Sequence, residues 1–230
     1  MPRLILFDID GTLIRDNGAA RDAYGKALAE VYEFSGPLAP YDFSGLTDEQ
    51  ITHMVLGDAG FAAAEIDERL DALWTQYLRG LAENVTEERI KVLAGVEELL
   101  ERLTGMPDLT LGLVTGNIER GARIKLAPTS LSRYFSFGAF GSDSRDRVQL
   151  PPIAIERASK FSGRSYSGRD VVIIGDSIFD IRCGVPHGAT TIGVTTGRTS
   201  RETLAREKPD HLFDSLEPTE ELVGAITGAP

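Results

Sequence analysis

Cysteine is nearly absent from the chain: Cys183 is the only one among 230 residues. An internal disulfide is therefore excluded, and a reducing cytoplasm is the expected compartment. Cys183 stands between Arg182 and Gly184 in an expected helix, with no neighbour suited to share a metal, so packing is its expected role. Histidine is scarce too. His53, His187 and His211 share no metal-ligand spacing and read as surface or capping residues. No apolar run reaches the roughly 18 residues that a membrane span requires. The N-terminus also lacks the basic region, apolar segment and cleavage site of a secretory signal. Lys and Arg together number 24 against 35 Asp and Glu, a net charge of −11. That balance argues against nucleic acid or an anionic membrane surface as the main partner. It also means that an anionic ligand must be met locally, by a metal and a few basic groups.

What the chain does contain is a set of short apolar runs. Leu4–Phe7, Leu109–Val114, Val171–Ile174 and Thr190–Val194 each end near glycine or an acid, and helical patterns separate them. Strands alternating with helices predict βαβ units, hence an α/β fold with a doubly wound, Rossmann-like parallel sheet. Helices are expected over Val96–Leu103, Pro152–Lys160, Asp180–Gly184, Arg201–Glu207 and Glu220–Ile226, with a short edge strand at Leu212–Phe213. The stretch from Arg15 to Glu88 breaks the alternation. It carries helical patterns at Ala19–Tyr32, Asp48–Leu56, Ala64–Ala82 and Thr86–Ile90, separated by turn formers at Ser35-Gly36-Pro37, Asp42–Gly45 and Gly57–Gly60. The predicted organisation is a core over 1–14 and 89–230, with an inserted all-helical cap over 15–88. Such a module would lie as a lid above the carboxyl end of the first strand.

Chemistry gathers at the ends of the apolar runs. Leu4–Phe7 continues into Asp8-Ile9-Asp10-Gly11-Thr12. Asp8 and Asp10 alternate, so in an extended chain both side chains leave one face, and two such acids call for a cation between them. Magnesium, which prefers oxygen ligands, suits that position. Leu109–Val114 ends in Thr115-Gly116-Asn117, where a hydroxyl, close-approaching amides and a helix starting near Ile118 could bind an anion. Val171–Ile174 ends in Gly175-Asp176-Ser177-Ile178-Phe179-Asp180, which places Asp176 at a strand tip and Asp180 one helical turn later. Three carboxylates converging on one rim need a cation.

Asp8-Ile9-Asp10-Gly11-Thr12, Thr115-Gly116-Asn117 and Gly175–Asp180 resemble the first, second and fourth motifs of the haloacid dehalogenase-like hydrolases. Their order and separation resemble the members with a helical cap after the first motif, phosphoglycolate-phosphatase-like enzymes among them. The resemblance implies a magnesium-dependent phosphohydrolase acting on a small phosphorylated metabolite; the amphipathic cap helices suit a lid and a dimer interface equally, so monomer and homodimer both stand as expectations. It implies Asp8 as the nucleophile that becomes an aspartyl-phosphate, and Asp10 as the acid for the leaving alcohol and then the base for water. Magnesium would be held by the Asp8 carboxylate, the Asp10 backbone carbonyl and Asp176. Thr115, with amides near Gly116 and Asn117, would bind phosphoryl oxygens, as would Gly11 and Thr12. Asp180 would support a base or a metal-bound water.

The third motif departs from the pattern. Where the family usually presents a lysine, this chain has Ser144-Arg145-Asp146-Arg147-Val148-Gln149-Leu150-Pro151-Pro152. Arg147 is the expected phosphate-side cation, with Arg145 and Lys160 as the other candidates. An acid at position 10 argues against carbon–halogen cleavage, and Lys26 as the only cap lysine argues against Schiff-base chemistry. A sugar-phosphate mutase and an inactive phosphate-binding module remain as alternatives. Trp74 and Tyr77 read as packing residues, and Thr47-Asp48 as a helix cap or a cap loop that touches substrate. Gly193–Arg198 lacks Walker spacing and is assigned no nucleotide site.

Overall fold

The chain forms a six-stranded parallel sheet whose strand order reverses at its first strand. In the computed structural model, which describes residues 2–228, the chain runs β1 (Arg3–Phe7), β2 (Ile14–Arg15), α1 (Ala19–Tyr32), α2 (Asp48–Asp58), α3 (Ala63–Asn84), β3 (Lys91–Val92) and α4 (Val96–Thr104). It continues through β4 (Leu109–Thr115), α5 (Glu119–Leu126), β5 (Gly138–Phe140), α6 (Leu150–Ser162) and β6 (Val171–Gly175). Last come α7 (Ile178–Gly184), β7 (Thr190–Val194), α8 (Arg201–Arg206), β8 (His211–Phe213) and α9 (Thr219–Thr227). The order in the sheet is β5-β4-β1-β6-β7-β8. Successive strands leave β1 first to one side and then to the other, so the crevice beyond its carboxyl end is a topological switch point, where open α/β sheets bind ligands.

Period-two alternation sets the two layers. Ile5 and Phe7 of β1 face a cluster with Leu99 and Leu103 of α4, Leu126 of α5 and Leu222 and Ile226 of α9. Leu4 and Leu6 face the other way, onto Leu150, Ala154 and Ala158 of α6 and Cys183 of α7. With both faces covered, the strands need continuous apolar sequence, which is why they are legible as runs. Cys183 is fully buried, as a packing residue should be.

The helices α1, α2 and α3 carry their own apolar cluster. Tyr24, Leu28, Val55, Leu56, Ile66, Leu73, Tyr77 and Leu81 pack together, and Ile118 at the start of α5 joins them. Thr47 caps α2 through a reciprocal pair with Gln50, and Trp74 meets Tyr77 edge-on. The two passages between this module and the sheet pair with each other: β2 lies antiparallel to β3, with Ile14 opposite Val92.

Some local structure differs from expectation. The segment Thr86–Ile90 is a turn rather than a helix, closed by Arg89 and Ile90 amides donating to the Thr86 carbonyl. The strands β2, β3 and β5 have two or three residues each, too few for alternation to register.

Candidate active site

The site begins where β1 stops. Phe7 is the last strand residue; the Asp8 amide still donates to the Ile174 carbonyl, but by Gly11 the chain has turned, and the Gly11 amide donates to Ile14. Gly11 sits at φ +87°, and a side chain there would meet the Asp176 carboxylate, so the turn requires glycine for both backbone and space. The expectation that the Asp8 and Asp10 side chains share one face is not met, because the chain leaves the extended conformation here. The Asp10 carboxylate faces Lys125 and Asn117 instead, with Oδ2 2.6 Å from Lys125 Nζ and 2.7 Å from Asn117 Nδ2.

The acids that do converge are Asp8, Asp176 and Asp180, all buried, with one carboxylate oxygen each lying within 4.8 Å of the others. Asp176 is oriented by Thr12, whose hydroxyl donates to Oδ1 at 3.0 Å. Thr12 is fully buried and spent on this bond, which corrects its assignment to substrate binding. Asp180 closes a reciprocal cap with Ser177, accepting from the Ser177 amide at 2.9 Å and hydroxyl at 2.6 Å through Oδ2. Its other oxygen faces Arg147.

Arg147 is buried and bridges two of the acids: Nη2 donates to Asp8 Oδ1 at 3.0 Å and to Asp180 Oδ1, while Nη1 donates to the Gly45 carbonyl at 2.9 Å. A lone lysine could not make this fork. Of the other cations weighed for this place, Arg145 is exposed and near Glu49, and Lys160 pairs with Glu156 on the surface. Both are set aside.

Electrostatics show three acids undercompensated by one arginine. Burial, then the charge of Asp180, pushes the Asp8 carboxyl up to about 7 against the pull of Arg147. Burial and the charges of Asp8 and Asp180 hold Asp176 well above the ordinary carboxylate range. Among the described residues, buried Arg147 Nε has no oxygen or nitrogen acceptor, and the Cys183 thiol lies beside the guanidinium. A hard divalent cation fits the oxygen trio. The carboxylate set that would hold the metal includes Asp180, and the Asp10 carboxylate lies outside it.

Lys125 is the residue that sequence reading missed. It is buried on α5, with Nζ 2.6 Å from both Asp10 Oδ2 and Asn117 Oδ1. Burial alone would lower its ammonium, but Asp10, Tyr77, Asp16 and Asp48 together raise it. The signal was present in the sequence, since Lys125 sits between Ala122 and Leu126 on the inward face of a short helix. Asn117 joins Asp10 and Lys125 to Thr115, its Nδ2 lying 2.8 Å from Thr115 Oγ1. The N-terminus of α5 is not free for an anion, because Asp48 Oδ2 accepts from the Ile118 amide at 2.8 Å.

A cleft of about 640 Å³ opens above these groups. Asp8, Asp10, Gly11, Thr115, Gly116, Asn117, Lys125, Arg147 and Asp176 line it, and so do Gly45, Asp48 and Tyr77 from the helical module. A side chain at Gly116 would strike the Leu46 carbonyl, so glycine lets the loop before α2 dock onto the strand end. The histidines lie elsewhere: His53 pairs with Asp67, His187 meets the Val148 carbonyl, and His211 is exposed.

This geometry agrees with comparison to known proteins. A family model described as haloacid dehalogenase-like hydrolase matches residues 5–194. The chain belongs to the haloacid dehalogenase-like hydrolases. Among relatives of this hydrolase, a phosphoglycolate phosphatase of Pseudomonas fluorescens (strain Pf0-1) is 26% identical over 226 residues, covering 94% of this chain and 78% of that protein. Pyrophosphatase PpaX of Anoxybacillus flavithermus (strain DSM 21510 / WK1) is 25% identical over 233 residues, covering 97% of each. The fold of a predicted phosphatase from Clostridium acetobutylicum superposes with a TM-score of 0.77 at 18% identity, covering 97% of this chain and 98% of that one. Among the described residues, no helix of the hydrolase is long and apolar enough to cross a membrane.

Proposed function

We propose that this haloacid dehalogenase-like phosphatase hydrolyses a small phosphate monoester through an aspartyl-phosphate on Asp8, with magnesium at the acid trio, in a reducing cytoplasm. The observation that carries the reading is the convergence of buried Asp8, Asp176 and Asp180, which one arginine leaves undercompensated. Asp8, Asp176 and Asp180 are the side chains that would hold the metal. Bound there, the cation would neutralise carboxylate charge and polarise the phosphoryl oxygens.

The chain's own groups divide the remaining work. Arg147 occupies Asp8 Oδ1, and the other oxygen attacks phosphorus as the bond to the leaving alcohol breaks. Asp10, held by Lys125 and Asn117 and partly open to the cleft, delivers a proton to that alcohol and then takes one from the water that cleaves the acyl-phosphate. Thr115, Gly116 and Arg147 line the place where phosphoryl charge develops. The helices α1–α3, in a unit spanning 15–88, act as the cap that excludes water and selects the leaving group.

Phosphate release from an aryl phosphate tests the reading. Turnover should vanish with a chelator, return with magnesium, and pass through a hydroxylamine-sensitive phosphoryl adduct on the intact protein. An isomeric sugar phosphate formed without free phosphate would point to a mutase. Magnesium binding without turnover on any monoester would point to an inactive phosphate-binding module.

A further inference from the structure

A second group of metal-ligating side chains lies on the helical module, outside the lining of the cleft. Glu49 and His53 stand one helical turn apart in α2, so they are neighbours on its surface. Asp67 joins them from near the start of α3, with Oδ1 2.9 Å from His53 Nε2. One ligand atom from each of the three residues lies within 4.8 Å of the other two. The backbone that carries them is fixed. At the start of α2 the Asp48 amide donates to the Gly116 carbonyl, and the Thr47 hydroxyl donates to the Arg145 carbonyl. Val55 and Leu56 of α2 then pack with Ile66 and Leu73 of α3, which holds the two ligand-bearing faces in register.

Charge among the three is unbalanced. With a neutral imidazole, two carboxylates stand side by side, and like charges this close raise each other's energy unless a cation intervenes. Arg145 stands 3.6 Å from Glu49, too far for a hydrogen bond, and the Glu49 carboxylate accepts none among the described residues. A divalent ion would cancel both charges at once. The donor set also selects which ion. Magnesium takes oxygen ligands in an octahedron, whereas one imidazole nitrogen and two carboxylate oxygens, with water in the fourth position, suit zinc. Zinc–ligand bonds of about 2.0–2.2 Å put tetrahedral ligands about 3.4 Å apart. The His53–Asp67 contact must therefore open by roughly half an ångström while the Glu49 side chain swings inward. The Asp67 side chain is 55% exposed, so an ion reaches the group directly from solvent.

We infer that Glu49, His53 and Asp67 form a second metal site, selective for a borderline divalent ion such as zinc and distinct from the oxygen-only trio of Asp8, Asp176 and Asp180. Zinc there ties α2 to α3 on the outer side of the helical module. It also draws Glu49 away from Arg145, which stands two residues before Arg147. The clamp needs nothing from Asp8 and holds whether or not the cleft turns over a phosphate ester.

The test is a zinc titration of chelator-treated full-length protein resupplied with saturating magnesium, followed through the imidazole nitrogens by 1H–15N correlation NMR. The chain has three histidines and the oxygen-only trio has none, so a zinc ion bound at that trio has no imidazole ligand to report it. His53, assigned by the signal missing from His53→Gln, should shift to an end point at one zinc per chain, while His187 and His211 stay in place. Asp67→Asn and Glu49→Gln should each weaken zinc at His53 by about tenfold or more, since even an outer partner of a metal ligand is worth 10–100-fold. Melting curves of the zinc-free variants confirm that they fold. His211→Gln should leave the His53 titration unchanged. A His53 signal that moves with acid but not with zinc would identify the balancing cation as a proton and overturn the site. Three histidines shifting alike would mean an adventitious ion only, and an unchanged affinity in Asp67→Asn would equally overturn it.

Discussion

Lys125 reaches Asp10 from α5, which begins just beyond the end of β4, and the two meet at 2.6 Å inside a network that includes Asn117. The acid assigned to proton transfer therefore has a fixed cation beside it, while the acid assigned to attack has Arg147. Removing Lys125 tests that division. Lys125→Met should lower turnover by about tenfold or more, falling on kcat more than on KM, since it removes a charge-assisted bond from Asp10 and none from Asp8. Steady-state kinetics on an aryl phosphate provide the check, and an unchanged kcat would remove Lys125 from the mechanism.

Asp8→Asn should abolish the phosphoryl adduct while the protein still folds. The carboxamide keeps an oxygen for Arg147 Nη2 but is a poor nucleophile. Intact-mass analysis after substrate addition, with circular dichroism as the folding control, reads both halves of this expectation. Near-normal turnover would contradict the role of Asp8.

Arg147→Met leaves Asp8 and Asp180 buried without their shared partner, a change that typically destabilises by about 3–5 kcal/mol. Denaturant unfolding should show the loss in metal-free protein and a smaller loss with saturating magnesium. Arg147→Lys should retain more stability than Arg147→Met, because it keeps the charge, but lose turnover, because one ammonium cannot span Asp8, Asp180 and the Gly45 carbonyl together.

The Asp48 carboxyl gives a pH signature away from the acid trio. Burial raises it to about 6, partly offset by Lys125 and the Ile118 amide. Its folded value lies above the ordinary value of 3.8, so between about 4 and 6 the folded protein holds more protons than the unfolded chain. Its contribution therefore favours the folded state most at low pH and is lost as pH rises through that window. Asp48→Asn, whose amide oxygen can still accept from Ile118, should gain stability relative to wild type as pH rises from 4 to 7. Paired thermal melts across that range check the sign, and a constant difference would refute it.

The fold and the acidic residues were largely legible because both depend on strand ends. Leu4–Phe7 and Val171–Gly175 announce buried parallel strands, and Asp8 and Asp176 follow them directly. Arg147 was also readable, since the replacement of lysine left few cations near Pro152. The partners of each acid were not. Strand alternation paired Asp10 with Asp8, but the turn at Gly11 redirected it to Lys125, more than a hundred residues away. Thr12 carries the same lesson. Sequence places its hydroxyl in the loop, and only the fold reveals that Asp176 consumes it.

The short ladder between β2 and β3 constrains how the molecule can breathe. Both crossings into α1–α3 run side by side and share hydrogen bonds, so the helical module hangs from one axis instead of two independent tethers. On the proposed mechanism, a swing of that module would also part the Gly45 carbonyl from Arg147, the arginine that holds Asp8. With that module as the proposed cap and Asp8 as the proposed nucleophile, a single guanidinium would couple gate position to nucleophile alignment.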